Sequence, residues 1–142
     1  MKISSILSNK GSFVATVSPD ASVSQLLALL AEHKIGAVVV ADADGSVGGI
    51  VSERDVARAA HTHGAGALEQ PVSAIMTELV VTCAPGASTE ELMSLMTERR
   101  VRHIPVIEDD EMVGIVSIGD VVKARLAELE TERDALQAYI SS

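Results

Sequence analysis

A tandem repeat constrains this chain more than any other feature of its sequence. Residues 14–40, VATVSPDASVSQLLALLAEHKIGAVVV, align without a gap with residues 80–106, VVTCAPGASTEELMSLMTERRVRHIPV. After one position in a turn, where Gly45 has no counterpart, VGGIVSERDVARA at 47–59 aligns with MVGIVSIGDVVKA at 112–124. Self-similarity of this kind predicts two copies of one supersecondary unit, neither of which buries its apolar face alone.

A short lead-in precedes each copy of the repeat, ISSILS at 3–8 and VSAIMT at 72–77. Between the copies, HTHGAGALEQP at 61–71 interrupts the apolar pattern with glycine, alanine and proline, which is typical of a connection. The predicted organisation is a first repeat at 1–62, a linker at 63–71, a second repeat at 72–126 and a C-terminal helical extension at 127–142.

Each repeat predicts the order strand, helix, strand, strand, helix. The first strands are FVATV at 13–17 and LVVTC at 79–83, and the later strands are IGAVVVAD and VRHIPVIED, followed by VGGIVS and MVGIVS. A half of about 60 residues buries too little apolar surface on its own. The predicted fold class is therefore α/β, of the α+β type, with two β-α-β-β-α units packed sheet to sheet about an approximate twofold axis. The first helix of each unit starts at a capping-box pair, Ser22 with Gln25 and Ser88 with Glu91.

The composition argues against several classes of function. The formal net charge is −9, and Phe13 and Tyr139 are the only aromatic residues, so the chain lacks the basic surface and the stacking platform that nucleic-acid binding needs. No apolar run approaches the roughly 20 residues that span a bilayer. The single cysteine, Cys83, forms no intramolecular disulfide, and the first residues lack the apolar core of a secretory signal. We therefore expect a cytoplasmic protein that binds no nucleic acid and does not insert into a membrane.

The heptapeptide GIVSERD at 49–55 and its counterpart GIVSIGD at 114–120 each end a predicted strand and start a predicted helix. A serine at a helix start accepts hydrogen bonds from backbone N–H groups, and an acidic residue three positions later lies favourably in the positive first turn. The same geometry suits a ligand, because free N–H groups bind phosphate and a carboxylate accepts hydrogen bonds from a ribose diol. The residues alone leave both interpretations open, and the two are compatible.

The repeat resembles the cystathionine-β-synthase (CBS) domain pair, also called the Bateman module. The similarity extends from about Ile3 to about Arg125 and is carried by IGAVVV…VGGIVSERDV and by VRHIPVIEDDEMVGIVSIGDV. The resemblance implies a regulatory module, not an enzyme, that binds adenosine compounds in clefts between its halves and often forms a disc-shaped dimer of pairs. It also implies an adenine nucleotide as ligand, AMP first, with ADP, ATP, S-adenosylmethionine or NAD(H) as alternatives, and no catalytic cofactor. Whether magnesium accompanies a triphosphate stays open.

The resemblance assigns ligand contacts to positions of both repeats. Asp55 and Asp120 become ribose acceptors, and Ser52 and Ser117 become partners of phosphate or ribose. The base would lie against aliphatic side chains and backbone of the first two strands of a half: Thr16, Ala37 and Val39 for one cleft, and Thr82, His103 and Pro105 for the other. Threonine is equally an ordinary strand residue.

An anionic phosphate needs positive charge nearby in so acidic a chain. The cations nearest to the motifs in sequence are Arg54, Arg102 and Lys123, each of which is equally well explained as a solvated surface charge. Because the second repeat has Arg102 and His103 where the first has Gly36 and Ala37, we expect the second cleft to hold a nucleoside phosphate and leave the first cleft open.

Other reactive side chains fit structural roles better than chemical ones. His61 and His63 lack the further ligands of a structural zinc site, so no metal site is predicted. Cys83 aligns with Val17 on an apolar strand and is expected to be a small core residue, not a nucleophile. No phosphate-binding glycine loop, nucleophile elbow or two-histidine zinc helix is present.

One apolar stripe begins before the extension, at Val122, and continues along it at alternating steps of about four and three residues, interrupted by one arginine. This stripe docks on its own domain or joins two subunits, and the resemblance to a family that often forms dimers favours the second alternative, so we expect a homodimer. The resemblance to a regulatory module also implies a regulated partner protein, which the sequence does not identify. A ligand-independent structural or interaction protein, in which the serine and aspartate pairs only cap helices, is the competing hypothesis. The stripe consists of Val122, Leu126, Leu129, Arg133, Leu136 and Ile140.

Overall fold

Helices and strands follow one another in nearly the same order in both repeats of the computed structural model, which describes residues 1–11, 14–78 and 81–141. The helices are α1 (Ile3–Lys10), α2 (Val23–His33), α3 (Glu53–His63), α4 (Val72–Ile75), α5 (Thr89–Arg99) and α6 (Ile118–Ser141), and a 3₁₀ helix covers Gly64–Glu69. The strands are β1 (Thr16–Val17), β2 (Ala37–Ala41), β3 (Val47–Ser52), β4 (Thr77–Glu78), β5 (His103–Glu108) and β6 (Glu111–Ser117).

The lead-in of each repeat belongs to the compact unit that contains the other repeat. One unit consists of Met1–Phe13 and Val81–Ser142, and the other of Val14–Val80. The compact units therefore differ from the repeats of the sequence, because α1 lies with the second repeat while α4 and β4 lie with the first.

The unit Val14–Val80 contains a four-stranded sheet in the order β1-β2-β3-β4. Strand β1 runs parallel to β2, and the β2–β3 and β3–β4 pairs are antiparallel. Leu26 and Leu30 of α2 pack against Val38, Val40 and Val51 of the sheet. Because side chains alternate across a strand, Ala37 and Val39 face the opposite side of β2.

The other unit contains the antiparallel pair β5–β6, and Cys83 adds a single parallel bridge to Val106. Leu92 and Met96 of α5 pack with Ile104 and Val116, as their counterparts do in the first unit. Ile3 of α1 is completely buried in this core. The apolar lead-in is therefore part of the fold of this unit.

Equivalent backbone hydrogen bonds dock the two lead-ins. The N–H of Ser4 donates to the carbonyl of Pro85 at 2.9 Å, and the N–H of Ser73 donates to the carbonyl of Pro19 at 3.0 Å. The next pair, Ile3 to Ala87 at 2.9 Å and Val72 to Ala21 at 2.8 Å, repeats the same match. The internal symmetry of the sequence is thus reproduced in the backbone contacts of each unit.

The predicted fold class is confirmed as a mixed α+β fold with two sheets. In the predicted strand 13–17, β1 covers only Thr16–Val17, and Phe13 lies outside the described residues. Leu79 and Val80 of the predicted strand 79–83 also lie outside them, and Cys83 forms a single bridge instead of a strand.

Helix starts and connections add three details. Ser22 and Gln25 form a full capping box, whereas Ser88 shows only the bond that it accepts from the N–H of Glu91, at 3.1 Å. The expected linker contains the 3₁₀ helix, which contacts α2 and α3 and buries Ala67. Helix α6 continues without a break from the second motif through the C-terminal extension.

Candidate functional site

The first serine and aspartate pair, Ser52 and Asp55, forms a capping box at the start of α3. The N–H of Ser52 donates to Asp55 Oδ2 at 2.9 Å, and the N–H of Asp55 donates to Ser52 Oγ at 3.4 Å. The hydroxyl of Ser52 also donates to the same carboxylate oxygen at 3.1 Å. This geometry is the structural role that the sequence suggested for the pair.

The second pair, Ser117 and Asp120, repeats the same geometry at the start of α6. The N–H of Ser117 donates to Asp120 Oδ2 at 2.9 Å, and the N–H of Asp120 donates to Ser117 Oγ at 3.1 Å. In both units, the first residue of the neighbouring strand lies opposite the serine, Ala37 opposite Ser52 and His103 opposite Ser117. The structure therefore brings the strand residue and the helix start together in each repeat.

The remaining carboxylate oxygens distinguish the two aspartates. Asp55 Oδ1 accepts a hydrogen bond from the hydroxyl of Thr77 at 3.4 Å and lies 4.0 Å from Arg58 Nη1. The side chain of Asp55 is 10% exposed. By contrast, Asp120 Oδ1 has no hydrogen-bond partner among the residues that the structure describes, and the side chain is 25% exposed. Asp120 is therefore the more available acceptor.

Lys10, the last residue of α1, forms an ion pair with Asp120. Its ammonium donates to Asp120 Oδ2 at 2.6 Å and to the carbonyl of Ile115 at 2.8 Å. Burial alone would raise the pKa of Asp120, but the hydrogen bond and charge of Lys10 and the hydrogen bonds from Ser117 hold this pKa below its ordinary value. The carboxylate is thus ionised at neutral pH.

His103 is partly buried at the first position of β5, opposite Ser117. Burial lowers its pKa, the positive charges of Lys10 and Arg102 lower it further, and the negative charge of Asp120 opposes them. The imidazole is therefore neutral at neutral pH, with one nitrogen as donor and one as acceptor.

The other residues predicted to contact the base differ in exposure. Thr16 is exposed beside Val39, and Val39 itself is completely buried. Thr82 is exposed next to Cys83, and Pro105 is buried.

Among the predicted cations, Arg102 has its backbone beside the second helix start, because its carbonyl accepts a hydrogen bond from the N–H of Ile118 at 2.8 Å. The exposed side chains of Arg54, Arg102 and Lys123 make no ion pair within the described ranges.

Sequence reasoning missed two residues of the lead-ins, Lys10 and Thr77. Lys10 contacts Asp120, and Thr77 contacts Asp55. The similarity of ISSILS to VSAIMT showed that lead-ins exist. It did not show which unit each one joins, because Lys10 and Asp120 are far apart along the chain and no local pattern links them.

Three further side chains, Cys83, His61 and His63, lie on a bridge to β5 and in the last turn of α3. Burial raises the pKa of Cys83 to about 11, so its thiol is protonated and unreactive at neutral pH. His61 and His63 lie exposed in the last turn of α3. Across the described parts of the chain, no three His, Cys, Asp or Glu side chains are grouped to hold a metal ion. Within the same residues, no helix has the length and apolar character to cross a bilayer.

Two α+β repeats, each with a strand leading into a Ser-x-x-Asp helix start, define a tandem pair of small domains. The chain belongs to the CBS domain family, whose model matches residues 11–62 and 72–127. It is therefore a CBS domain pair.

Individual relatives agree with this assignment. The chain is 41% identical over 115 residues to the mitochondrial CBS domain-containing protein CBSX3 of Arabidopsis thaliana, a match that covers 78% of this chain and 56% of the relative. The crystal structure of the CBS-domain protein ATU1752 from Agrobacterium tumefaciens is 50% identical, with a TM-score of 0.85 over 87% of this chain and 92% of that one. The CBS domain pair of protein MJ0100, 22% identical with a TM-score of 0.79 over 90% of this chain and 98% of that one, shares the fold.

Proposed function

We propose that this chain is a regulatory sensor that binds an adenosine nucleotide at the second helix start and passes the ligand state to a partner protein. The observation that carries the proposal is the free oxygen of Asp120, a partly exposed carboxylate that is ionised and fixed by its capping box. A carboxylate of this kind accepts the two hydrogen bonds of a ribose diol. Ser117 and His103 lie beside it as further polar groups.

The MJ0100 domain pair supports an adenosine ligand, because its crystal structure is a complex with 5′-methylthioadenosine and S-adenosylmethionine. AMP is the first candidate for this chain, and ADP, ATP, S-adenosylmethionine and NAD(H) are the alternatives. All of these share the adenosine ribose that Asp120 would recognise. We propose no catalytic role, since the groups at this site suit binding and orientation.

The regulatory part of the proposal follows from linkage. A ligand shifts a conformational equilibrium only by its different affinity for the two states. Binding at Asp120 would therefore bias whichever conformation of the chain a partner protein recognises.

The test is isothermal titration of the purified protein with AMP, ADP, ATP, S-adenosylmethionine and NADH, after the absorbance ratio has shown that the sample carries no nucleotide. Asp120→Asn should abolish saturable binding while the far-UV circular dichroism spectrum is retained. Asp55→Asn is the matched variant in the other repeat, and Asp44→Asn removes the same charge from an exposed turn.

Two results would contradict the proposal. Absence of binding by the folded wild type for every ligand would favour the competing hypothesis of a structural or interaction protein, in which both aspartates only cap helices. Binding that survives Asp120→Asn would place the ligand elsewhere.

We also propose that the chain forms a homodimer through α6. Every described side chain from Glu130 to Ser141 is exposed, and exposed apolar side chains recur along this helix at intervals that suit a helix partner. The exposed fractions are 40% for Val122, 56% for Leu126, 44% for Leu129, 62% for Leu136 and 78% for Ile140.

Charge complementarity favours a second copy as the partner of this stripe. Arg133 lies within the apolar stripe and Glu130 and Glu132 flank it, so the glutamates of one α6 can pair with the arginine of another. Sedimentation equilibrium should give a dimer for the wild type and a monomer for Leu129→Glu with Leu136→Glu. A monomeric wild type at all concentrations would contradict the proposal.

A further inference from the structure

Helix α1 places a cation on the second helix-start aspartate. The ammonium of Lys10 lies 2.6 Å from Asp120 Oδ2 and 2.8 Å from the carbonyl oxygen of Ile115. Its side chain is 34% exposed, so the pair is partly shielded from water. An ammonium has three N–H donors, and these two contacts leave one of them for a ligand.

The first helix start has a neutral neighbour instead. There the lead-in supplies the hydroxyl of Thr77, at 3.4 Å from Asp55 Oδ1. Among the described residues, the cation paired with Asp55 is Arg58, which lies 4.0 Å from Asp55 Oδ1 on a side chain that is 76% exposed, where water and salt screen its charge. When the two lead-ins are aligned, the residue at the position of Lys10 is Leu79, which lies outside the described residues.

The presence of a cation beside Asp120 and a hydroxyl beside Asp55 affects how well an anionic ligand can bind near each carboxylate. A phosphate close to an uncompensated carboxylate is repelled, and the repulsion is strong where the surroundings are partly buried. The chain as a whole has a net charge of −9, so its overall charge does not offset this repulsion. Lys10 neutralises Asp120 and offers a donor to phosphate at the same position. Arg102 and His103 lie on the adjacent strand end.

We propose that Lys10 is a specificity-determining residue of the second site, through which the site prefers a phosphorylated adenosine ligand to an uncharged one. The proposal rests on the adenosine-binding function proposed above and narrows it to nucleotides. It assigns this role to a residue outside the repeated motif, on a helix contributed by the start of the chain.

The experiment compares the dissociation constants of AMP and adenosine for the wild type, Lys10→Met and Lys10→Gln. A charge-assisted hydrogen bond contributes enough that its loss should reduce the preference for AMP over adenosine at least about tenfold. Lys10→Gln serves as the second uncharged variant, since it removes the charge but keeps a hydrogen-bond donor on the side chain. Lys10→Arg should retain the preference.

Lys2→Met is the matched control, because it removes one positive charge from the other end of α1 and should leave the preference unchanged. Equal weakening of AMP and adenosine by Lys10→Met would overturn the proposal, as would tighter binding of both, which would make Lys10 a competitor for Asp120. Binding of neither ligand to the wild type would instead overturn the adenosine-binding function itself.

Discussion

Gly114 lies directly against Leu7, since a Cβ atom built on Gly114 would come within 2.6 Å of Leu7 Cδ2. The equivalent Gly49 is even closer to its lead-in, with the carbonyl oxygen of Thr77 at 2.5 Å from such a Cβ atom and Met76 Sδ at 3.1 Å. The glycine of GIVSxxD is thus needed for the approach of a lead-in, while the serine and aspartate cap the helix. All three repeated positions have a structural reason that holds whether or not a ligand binds.

We predict that Gly49→Ala destabilises the protein more than Gly114→Ala. The alanine at position 49 meets a backbone oxygen that cannot move without breaking the β3–β4 pairing, whereas Leu7 can change its rotamer. Overpacking of this kind costs about 1–3 kcal/mol in the free energy of unfolding, with Gly49→Ala at the upper end. Urea unfolding followed by circular dichroism measures both.

Gly48→Ala is the control for these substitutions, because its Cβ would meet no atom closer than 3.9 Å. Its free energy of unfolding should stay within about 0.5 kcal/mol of the wild type. If Gly49→Ala were as stable as Gly48→Ala, the result would contradict the close contact between Gly49 and the backbone of Thr77.

The ion pair of Lys10 and Asp120 predicts a loss of stability in acid. The folded-state pKa of Asp120 is lower than its ordinary value of 3.8, so the unfolded chain takes up this proton first as the pH falls. The stabilisation is complete at neutral pH, and it is lost as the pH falls through the ordinary value towards the folded one. The difference in unfolding free energy between the wild type and Asp120→Asn should therefore shrink in acid.

Measurement of both proteins by urea unfolding across this range tests the prediction. Lys10→Met should reduce the same pH dependence, because it removes the hydrogen bond that lowers the pKa of Asp120 most, together with the charge of Lys10. A constant difference between the wild type and Asp120→Asn from neutral to acid pH would show that the ion pair does not form in solution.

The lowered pKa of His103 leads us to predict a second pH dependence of the stability. Its pKa in the folded chain lies below the ordinary 6.5, chiefly through burial and then through the charge of Lys10, with Arg102 acting in the same direction and Asp120 against it. Between these two values the unfolded chain binds a proton that the folded chain does not, so stability falls as the pH drops below about 6.5. His103→Gln should remove this component, and direct titration of the imidazole by NMR should give a pKa below 6.5. An NMR value above 6.5 would contradict it.

Much of the fold was predictable because its signals are local. The periodicity of VSQLLALLAEH and the capping pair at Ser22 indicate α2, and the aliphatic run AVVV indicates β2. The unit that each lead-in joins was not predictable, because ISSILS and VSAIMT have nearly the same apolar pattern and make equivalent backbone hydrogen bonds. The 3₁₀ helix at Gly64–Glu69 was missed since its glycines and alanines are equally typical of a loop.

The candidate site follows the same division. The motif itself identified Ser117 and Asp120, and the strand register then placed His103 opposite the serine. The ion pair with Lys10 depends on tertiary docking of α1, which leaves no spacing pattern in the sequence. What distinguishes the two aspartates is therefore contributed by the lead-ins, which lie outside the repeated GIVSxxD motif.

Glycine substitutions at the ends of α2 and α5, before β2 and β5, should increase the stability of the protein. Lys34 and Arg100, at equivalent positions, both have a φ of 54° in the left-handed region, where a side chain costs about 1–2 kcal/mol and glycine costs little. Both residues are exposed, and no hydrogen bond or ion pair of their side chains is found in the described residues. Part of the gain is offset, because glycine also increases the conformational freedom of the unfolded chain. Lys34→Gly and Arg100→Gly should each raise the free energy of unfolding by roughly 0.5–1 kcal/mol.

Alanine at the same positions separates the backbone from the side chain. Lys34→Ala and Arg100→Ala remove the same cations but keep the strained conformation, so they should not share the gain of the glycine variants. Because the two sites lie in different compact units, the effects of the two glycines should add in the double variant if the chain unfolds in one transition. A destabilised Lys34→Gly would mean that its backbone does not occupy the left-handed region in solution.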